Sequence, residues 1–300
     1  MQNSFHFKLI LLLIATFFWG LGFPAARWTL SDYTPLWSTS IRFVLASVFF
    51  IPILIYFKSF KRPLREQIPP LLCGLLIFVS LFLQTSGLHF TSLAKSGFFT
   101  IFYVLFTPLL STLMRKTKFS LTYWFLVSFS ILGALFLCEL KLYNFNFGDF
   151  LTLCSALTFS IHILLIGKIA NKYNALELNG LQTLYVAIIS VIVGFLFEDL
   201  PSFDPLLNFS NFFIASPLLG FLILSFFSSF LAFSIQVFIQ KSISAHIVSL
   251  TFLAESVFAA FFGYYFFNEG ISLLGLMGCL MILTSIGLTP FIIKNSVTEH

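Results

Sequence analysis

Blocks of about 20 mainly apolar residues, the length a helix needs to cross a hydrocarbon layer, recur ten times along this chain. They cover residues 9–28, 37–57, 69–88, 96–114 and 121–138, then 147–169, 178–197, 212–238, 246–267 and 271–293. The longest connection, residues 198–211, leaves no room for a soluble domain. The first block is longer than the apolar core of a secretory signal and lacks its small-residue cleavage pattern, so a retained helix is expected. The pattern predicts an all-α membrane protein of ten transmembrane helices.

Composition narrows the function classes. Hydrophobic residues make up 59% of the 300 and charged residues 9%, with a mean hydropathy of +1.01. A water-soluble chain carries roughly 25% charged residues, because its surface must be solvated. Soluble enzymes, soluble binding modules and disordered chains are therefore excluded. The net charge of +5 does not mark a nucleic-acid partner, since no basic run is interleaved with stacking aromatics. Cys73, Cys138, Cys154 and Cys279 lie far apart in apolar stretches without CxxC or Cys/His spacing. Neither a disulfide framework nor a metal site is expected, and no cofactor is implied.

Charge also sets the orientation. Counting alternate connections puts Lys8, Lys58, Lys61, Arg62, Arg65, Arg115, Lys116, Lys118, Lys168, Lys172, Lys241 and Lys294 on one side. The opposite side holds Lys95 and Lys141, with Arg27 and Arg42 inside nearby helix ends, and the acidic Glu198, Asp199 and Asp204. Basic residues accumulate in cytoplasmic loops, so both termini are expected in the cytoplasm. For a bacterial protein the expected home is the cytoplasmic (inner) membrane, because outer-membrane proteins are barrels.

The ten blocks divide into two fives that align with each other. LHFTSLAKSGF (88–98), entering the fourth block, matches IQKSISAHIVS (239–249), entering the ninth. TPLLSTLM from Thr107 matches ESVFAAFF from Glu255, residues 120–137 parallel 272–289, and residues 17–20 parallel 157–160. An odd number of helices per half makes equivalent helices run in opposite directions. Inverted repeats of this kind scaffold alternating-access transport, with a site near the bilayer midplane.

Several stretches resemble the EamA-type branch of the drug/metabolite transporter superfamily. They are WGLGFPAAR (19–27), the Ile41-Arg42-Phe43 triplet, FTSLAKSGFFTIFYVLFTPLLS (90–111) and SLTFLAESVFAAFFGYYFFNEGISLLG (249–275). The likeness extends over about residues 9–288. It implies two inverted five-helix EamA repeats, residues 9–138 and 147–293, around a central cavity. It further implies export or permeation of small metabolites, amino-acid-like solutes or drugs. Two departures stand out. Family members often carry Pro after the ninth-block Glu, where this chain has Ser256, which bears on a kink there; they often carry Glu after the fourth block, where this chain reads Lys116-Thr117-Lys118.

An ionisable group in hydrocarbon costs at least ~2.5–3.5 kcal/mol at a helix centre, so each is a functional candidate. Glu255 is the acid nearest the middle of a block. It is a candidate proton carrier or partner for a cationic solute group; the alternative is a fixed carboxyl bonded to a neighbouring helix. Glu269, near the outer end of the ninth block, is expected to cap the tenth. His162 falls opposite Gly22 in the alignment. Facing a shared cavity it would bind solute or titrate, and the plainer reading is a buried neutral His donating to a carbonyl. Arg42, about five residues inside its block, is expected to snorkel to the headgroups, with pairing to an anionic solute group or to Glu269 as the alternative. Lys95 is expected at the same interface.

Backbone and aromatic signals add to the set. Pro24 cannot bond the carbonyl of Gly20, so the Gly20, Gly22 and Pro24 cluster is expected to kink the first helix, and Pro108 frees the carbonyl of Val104 in the same way. Backbone freed at that depth lines a cavity or meets protein partners. Trp19 is a stacking candidate for an aromatic or cationic solute, or else core. Gln84 and Gln236 are further polar candidates. Ala259 with Gly263, and Gly275 with Cys279, have the spacing of helix-contact faces.

No GxxxxGK[ST] loop occurs, so nucleotide hydrolysis within this chain does not supply the energy. The leading expectation is a secondary transporter of a small-molecule solute, driven by its own gradient or by protons with Glu255 as the acid. A membrane-embedded enzyme would need a Ser/His pair or two aspartates at depth, or an HExxH cluster; Asp149 is at the outer edge of its block with no second buried aspartate, a few scattered polar groups do not make an active site, and no enzyme is expected. The remaining alternative is a lipid-handling, flippase-like component or a non-catalytic structural membrane protein. A channel would need a charged ring or a filter motif. Two repeats in one chain already complete a pathway, so a monomer suffices and a homodimer stays open.

Overall fold

A computed structural model of the chain describes residues 2–115, 118–138, 145–207, 216–292 and 297–298. The expected start of the eighth span at Phe212, the end of the tenth at Ile293 and the loop cations Lys116, Lys141 and Lys294 lie outside those residues. Among the described residues eight helices are long and apolar enough to cross a membrane: Phe5–Thr29, Pro35–Tyr56, Leu64–Phe90, Lys95–Met114, Phe147–Lys172, Ala175–Phe197, Pro217–Gln240 and Ala245–Phe267. Two shorter apolar helices are Leu121–Leu137 and Leu273–Thr289. In chain order these are spans one to ten, the short pair being five and ten. The 17 residues of Leu121–Leu137 rise about 25 Å, less than the ~30 Å of a typical hydrocarbon core.

Local chemistry starts most spans where the sequence places a small polar residue. Side chains of Thr34, Ser92, Ser120, Asn146, Asn174 and Ser216 each accept from a backbone N–H of the first turn, which satisfies donors the helix itself cannot. Pro35 and Pro217 follow two of these caps, where a missing N–H costs nothing. Asn146 and Asp149 form a full capping box. The cap of span ten is Ser272, whose hydroxyl accepts from Gly275 N–H at 3.2 Å. Glu269, expected near this helix start, has its carboxylate 3.5 Å from Arg27.

Interruptions fall at places other than the prolines. Span one is helical without a break from Gln2 to Thr29, Pro24 included; proline's fixed φ suits a helix even though one hydrogen bond is lost. Span four consists of Leu93–Thr100 and Tyr103–Arg115, so its break precedes Pro108 by more than a turn. Span nine consists of Ala245–Phe252 and Ala254–Phe267. It breaks with serine rather than proline after Glu255, and the Leu253 carbonyl accepts from both the Ser256 N–H at 3.2 Å and the Ser256 hydroxyl at 2.8 Å. Phe102 and Leu253, the two break points, coincide when residues 88–98 are laid on 239–249. Span eight has a ten-residue π-helical stretch, Ile223–Ala232; π turns are rare and concentrate at functional sites.

Packing follows the repeat. Span three packs on six as one packs on eight; one packs on nine as four packs on six; two meets seven, and five meets ten. Exchanging each span for its counterpart five places on turns this set of pairings into itself. The register is visible in single residues as well. Tyr33, ahead of span two, donates to the Ser202 carbonyl beyond span seven at 3.0 Å, and Tyr173, ahead of span seven, to the Glu66 carbonyl beyond span two at 2.6 Å.

Close backbone approach holds the short pair together. A Cβ on Gly278 would collide with the Gly133 carbonyl, and one on Gly133 with that of Gly278. Gly275 is less confined, and Gly263 faces the Glu269 side chain rather than another helix. Gly278→Leu is therefore expected to cost ~1–3 kcal/mol through overpacking and to lower the melting temperature in detergent by several degrees. Gly287→Ala, at a glycine with nothing within 4 Å, is the control and should leave it unchanged.

Candidate functional site

The bundle has two faces. One carries Asp32, Thr91, Asn146, Glu198 and Glu269 and is called the Asp32 face; the other carries Lys58, Arg62, Lys172 and Lys241 and is called the Lys58 face. A cavity of about 620 Å³, its mouth included, occupies the half toward the Asp32 face. Span one lines it with Trp19, Gly22, Phe23 and Ala26, and span three with Ser80, Leu81, Gln84, Thr85 and Leu88. Arg42, Thr100, Ser155, Phe159, Ser228, Phe233 and Glu255 complete the wall.

Two ionisable side chains dominate its chemistry. Arg42 is 7% exposed and does not snorkel. Its Nε donates to Ser229 Oγ at 2.8 Å and its Nη2 to Ser228 Oγ at 2.7 Å. Both serines lie on the π-helical stretch of span eight, so the guanidinium is drawn inward across the bundle rather than toward headgroups. Sequence distance from a helix end gave the wrong direction because it carries no information on which face the side chain takes. The alternative pairing with Glu269 is also excluded, because Arg27 is the cation that meets Glu269. Glu255, likewise 7% exposed, accepts from the Tyr103 hydroxyl at 3.3 Å. Among the described residues no ion pair within 4.0 Å joins Arg42 to Glu255.

Uncharged groups fill the space between. Gln84 Nε2 donates to Thr100 Oγ1 at 3.0 Å, and the Ser80 and Ser155 hydroxyls are 3.0 Å apart. The floor is aromatic: the Trp19 indole meets Phe159, Phe233 and Phe252 at ring separations of 6.0, 5.1 and 4.7 Å, all edge-on. Trp19 Nε1 is buried there without a hydrogen-bond partner.

Of the sequence candidates, Trp19, Gly22, Arg42, Gln84 and Glu255 thus come together around one cavity. Pro24, His162 and Gln236 do not line it. His162 is fully buried, stacks on Phe159 and bonds the Gln182 side chain at 3.1 Å. Gln236 bonds Gln240. Tyr103, Ser228, Ser229 and the span-three Thr85 were missed. The adjacent pair Ser228-Ser229 inside an apolar span was the one available signal, and without a partner in sequence it pointed nowhere.

Charged clasps close both ends of the bundle. On the Lys58 face Arg62 forms a two-pronged bond to Glu177, Nε at 2.7 Å and Nη2 at 2.8 Å, and reaches Glu66 at 3.0 Å. Its guanidinium lies 5.0 Å from the Tyr173 ring centre, and the bond to Glu177 holds its pKa above the ordinary arginine value. On the Asp32 face Thr34 donates to Glu198, and Trp37 Nε1 to the Asp199 carbonyl at 2.8 Å. Burial, helped by Asp32 and Asp204, pushes the neighbouring Tyr33 hydroxyl up to about 12. At this same face the Lys95 ammonium pairs with the fully buried Asp149, which also accepts from Thr91.

Comparison with known proteins fits this architecture. A protein of solved crystal structure superposes with a TM-score of 0.75 over 96% of this chain and 97% of that one, at 16% identity, a likeness of fold alone. An uncharacterized transporter of Archaeoglobus fulgidus is 27% identical over 275 residues, 92% of this chain and 83% of that protein. Residues 6–138 and 146–290 each match the EamA-like transporter family, so this multi-pass membrane protein, built of two EamA halves, belongs to that family.

Proposed function

We propose that the chain is a secondary transporter that moves a small solute by alternating access, with the cavity between Arg42 and Glu255 as its binding site. One observation carries this reading. Two oppositely chargeable groups wall the same cavity in the bundle interior, and neither uses the other as its partner. Charges held out of water are retained where they serve a pathway. Here Arg42 is left to meet an anionic solute group, and Glu255 a cationic one or a proton.

The topology supports an orientation. Twelve of the 16 Lys and Arg residues belong to the Lys58 side, which favours a cytoplasmic location for that face and both termini. The cavity then lies toward the exterior, and the family likeness favours export across the cytoplasmic membrane. Trp19, at the floor with a donor to spare, is the natural contact for a solute's acceptor or aromatic group.

A thermal-shift screen of detergent-purified protein against amino acids, nucleosides, polyamines and lipophilic cations tests the site. A true ligand at about 100 times its Kd adds ~2.7 kcal/mol of stability, a rise of several degrees. Arg42→Gln should abolish the shift for an anionic or zwitterionic ligand, and Lys172→Gln should keep it. An undiminished shift in Arg42→Gln would place binding elsewhere.

Coupling is tested in proteoliposomes. Glu255→Gln is expected to reduce uptake driven by a pH gradient at least about tenfold, while exchange of solute across the membrane persists. Proton-driven flux equal to that of the unaltered protein would remove Glu255 from the coupling role.

A further inference from the structure

The half of the bundle toward the Lys58 face is closed, yet it contains polar side chains whose positions follow from the open cavity. Laying residues 17–20 on 157–160 sets Gly22 opposite His162, Tyr33 opposite Tyr173 and, in the same register, Arg42 opposite Gln182. Laying residues 88–98 on 239–249 and extending one turn back sets Thr85 opposite Gln236. Gly22, Arg42 and Thr85 line the open cavity. Their counterparts His162, Gln182 and Gln236 are all fully buried. Each lies nearer the Lys58 face, as an inverted repeat requires.

The hydrogen bonding of these residues is incomplete in a telling way. Asn179 Nδ2 donates to the Ser229 and Phe230 carbonyls at 3.1 and 3.2 Å, so its oxygen accepts from Gln182 Nε2 at 2.9 Å. Gln182 Oε1 then faces His162 Nε2 at 3.1 Å, and the proton between them must be on the histidine. That leaves His162 Nδ1 an acceptor, and it has no partner; Gln236 Oε1 has none either. Buried polar atoms in native proteins are nearly always bonded. Two unmet acceptors at positions equivalent to cavity walls are accounted for by a surface that meets solvent or solute in another conformation.

Besides the Arg62 clasp at the rim, a contact between spans eight and six adjoins these residues. Gln240 Nε2 donates to the Ile163 carbonyl at 2.8 Å, tying span eight to span six, and Gln240 Oε1 accepts from Gln236 at 2.9 Å. The counterparts of Gln240 and Ile163 on the open side are His89 and Phe23. Among the described residues no hydrogen bond joins those two, and His89 is exposed.

We propose that His162, Gln182 and Gln236 form a second solute-contacting site, shut in this conformation, which opens to the Lys58 face when the halves exchange roles, and that Gln240 on Ile163 is its bolt. The inference rests on the transport reading above and adds the other end of the path. The second site offers amide and imidazole groups in place of the Arg42 guanidinium. An anionic or zwitterionic solute held by Arg42 loses its ionic partner there and keeps only neutral hydrogen bonds.

Thiol labelling tests it. Cys73, Cys138, Cys154 and Cys279 are replaced by Ala, and single cysteines are introduced as Thr85→Cys, Gln236→Cys and, as a core control, Val127→Cys. A membrane-impermeant methanethiosulfonate is applied to intact cells and to inverted vesicles. Thr85→Cys should react from the Asp32 face. Gln236→Cys should react only from the Lys58 face, and faster than Val127→Cys. Adding Gln240→Ala, or Gln240→Met to preserve volume, should raise the Gln236→Cys rate roughly three- to tenfold, the effect of one net hydrogen bond on a two-state balance, and lower the Thr85→Cys rate. If Gln236→Cys reacts no faster than the core control with either Gln240 substitution, or reacts from the Asp32 face, the second site is wrong. Failure of Thr85→Cys to react from its own face would instead strike the cavity and the transport reading itself.

Discussion

The Arg42 guanidinium reaches across the bundle to two serine hydroxyls because nothing in hydrocarbon would solvate it. That bond ties span two to span eight at the stretch where the backbone leaves α geometry. The carbonyls of Ser229 and Phe230 there are met by Asn179 of span seven, which in turn orients Gln182 and, through it, His162. A single chain of polar contacts thus runs from the open cavity into the closed half. Removing any member would leave buried groups unpaired, which costs more than the bond itself contributed. The arrangement of spans two, six, seven and eight is conditioned by it.

The fold was largely legible because the bilayer imposes few solutions. Apolar blocks of the right length, small polar residues ahead of them and an alignment of two fives were enough to give the helices, and the breaks in spans four and nine fall at matching positions. Side-chain direction was not legible. Arg42 was expected near headgroups from its distance to a helix end, and it turns inward to Ser228 and Ser229, while Lys95 stays at the outer end of span four but pairs there with Asp149 of span six. A one-dimensional pattern gives depth but not the face a residue takes, and partners from other spans decide the latter. Glu177 shows the same limit: as a helix-end acid it was unremarkable in sequence, and it proves to anchor Arg62.

Backbone irregularity was half legible for a related reason. Proline marks a lost donor, but a helix with its remaining bonds intact can continue through it, as span one does at Pro24. Span nine breaks at Leu253 with no proline beside it, and the Ser256 hydroxyl adds a second bond to the Leu253 carbonyl that the Ser256 N–H already meets. What selects the break is the environment: Tyr103 begins the second half of span four and Glu255 follows the break in span nine, and the two side chains bond each other. The paired breaks therefore bring one residue from each half together at the cavity, an outcome that no feature of either stretch alone announces.

The two halves are alike in backbone and unlike in charge, and that difference has a consequence for transport. A perfectly symmetric protein would hold its cargo equally well on both sides and gain nothing in release from the change of conformation. Here the open half presents Arg42 where the closed half presents Gln182. A hydrogen bond to a charged group is roughly twice as strong as a neutral one, so under the proposed cycle a solute with an anionic group would be held more tightly on the Asp32 side. Differential affinity of a ligand for two conformations is the only means by which it shifts their balance. Cargo of that kind would favour the conformation seen here.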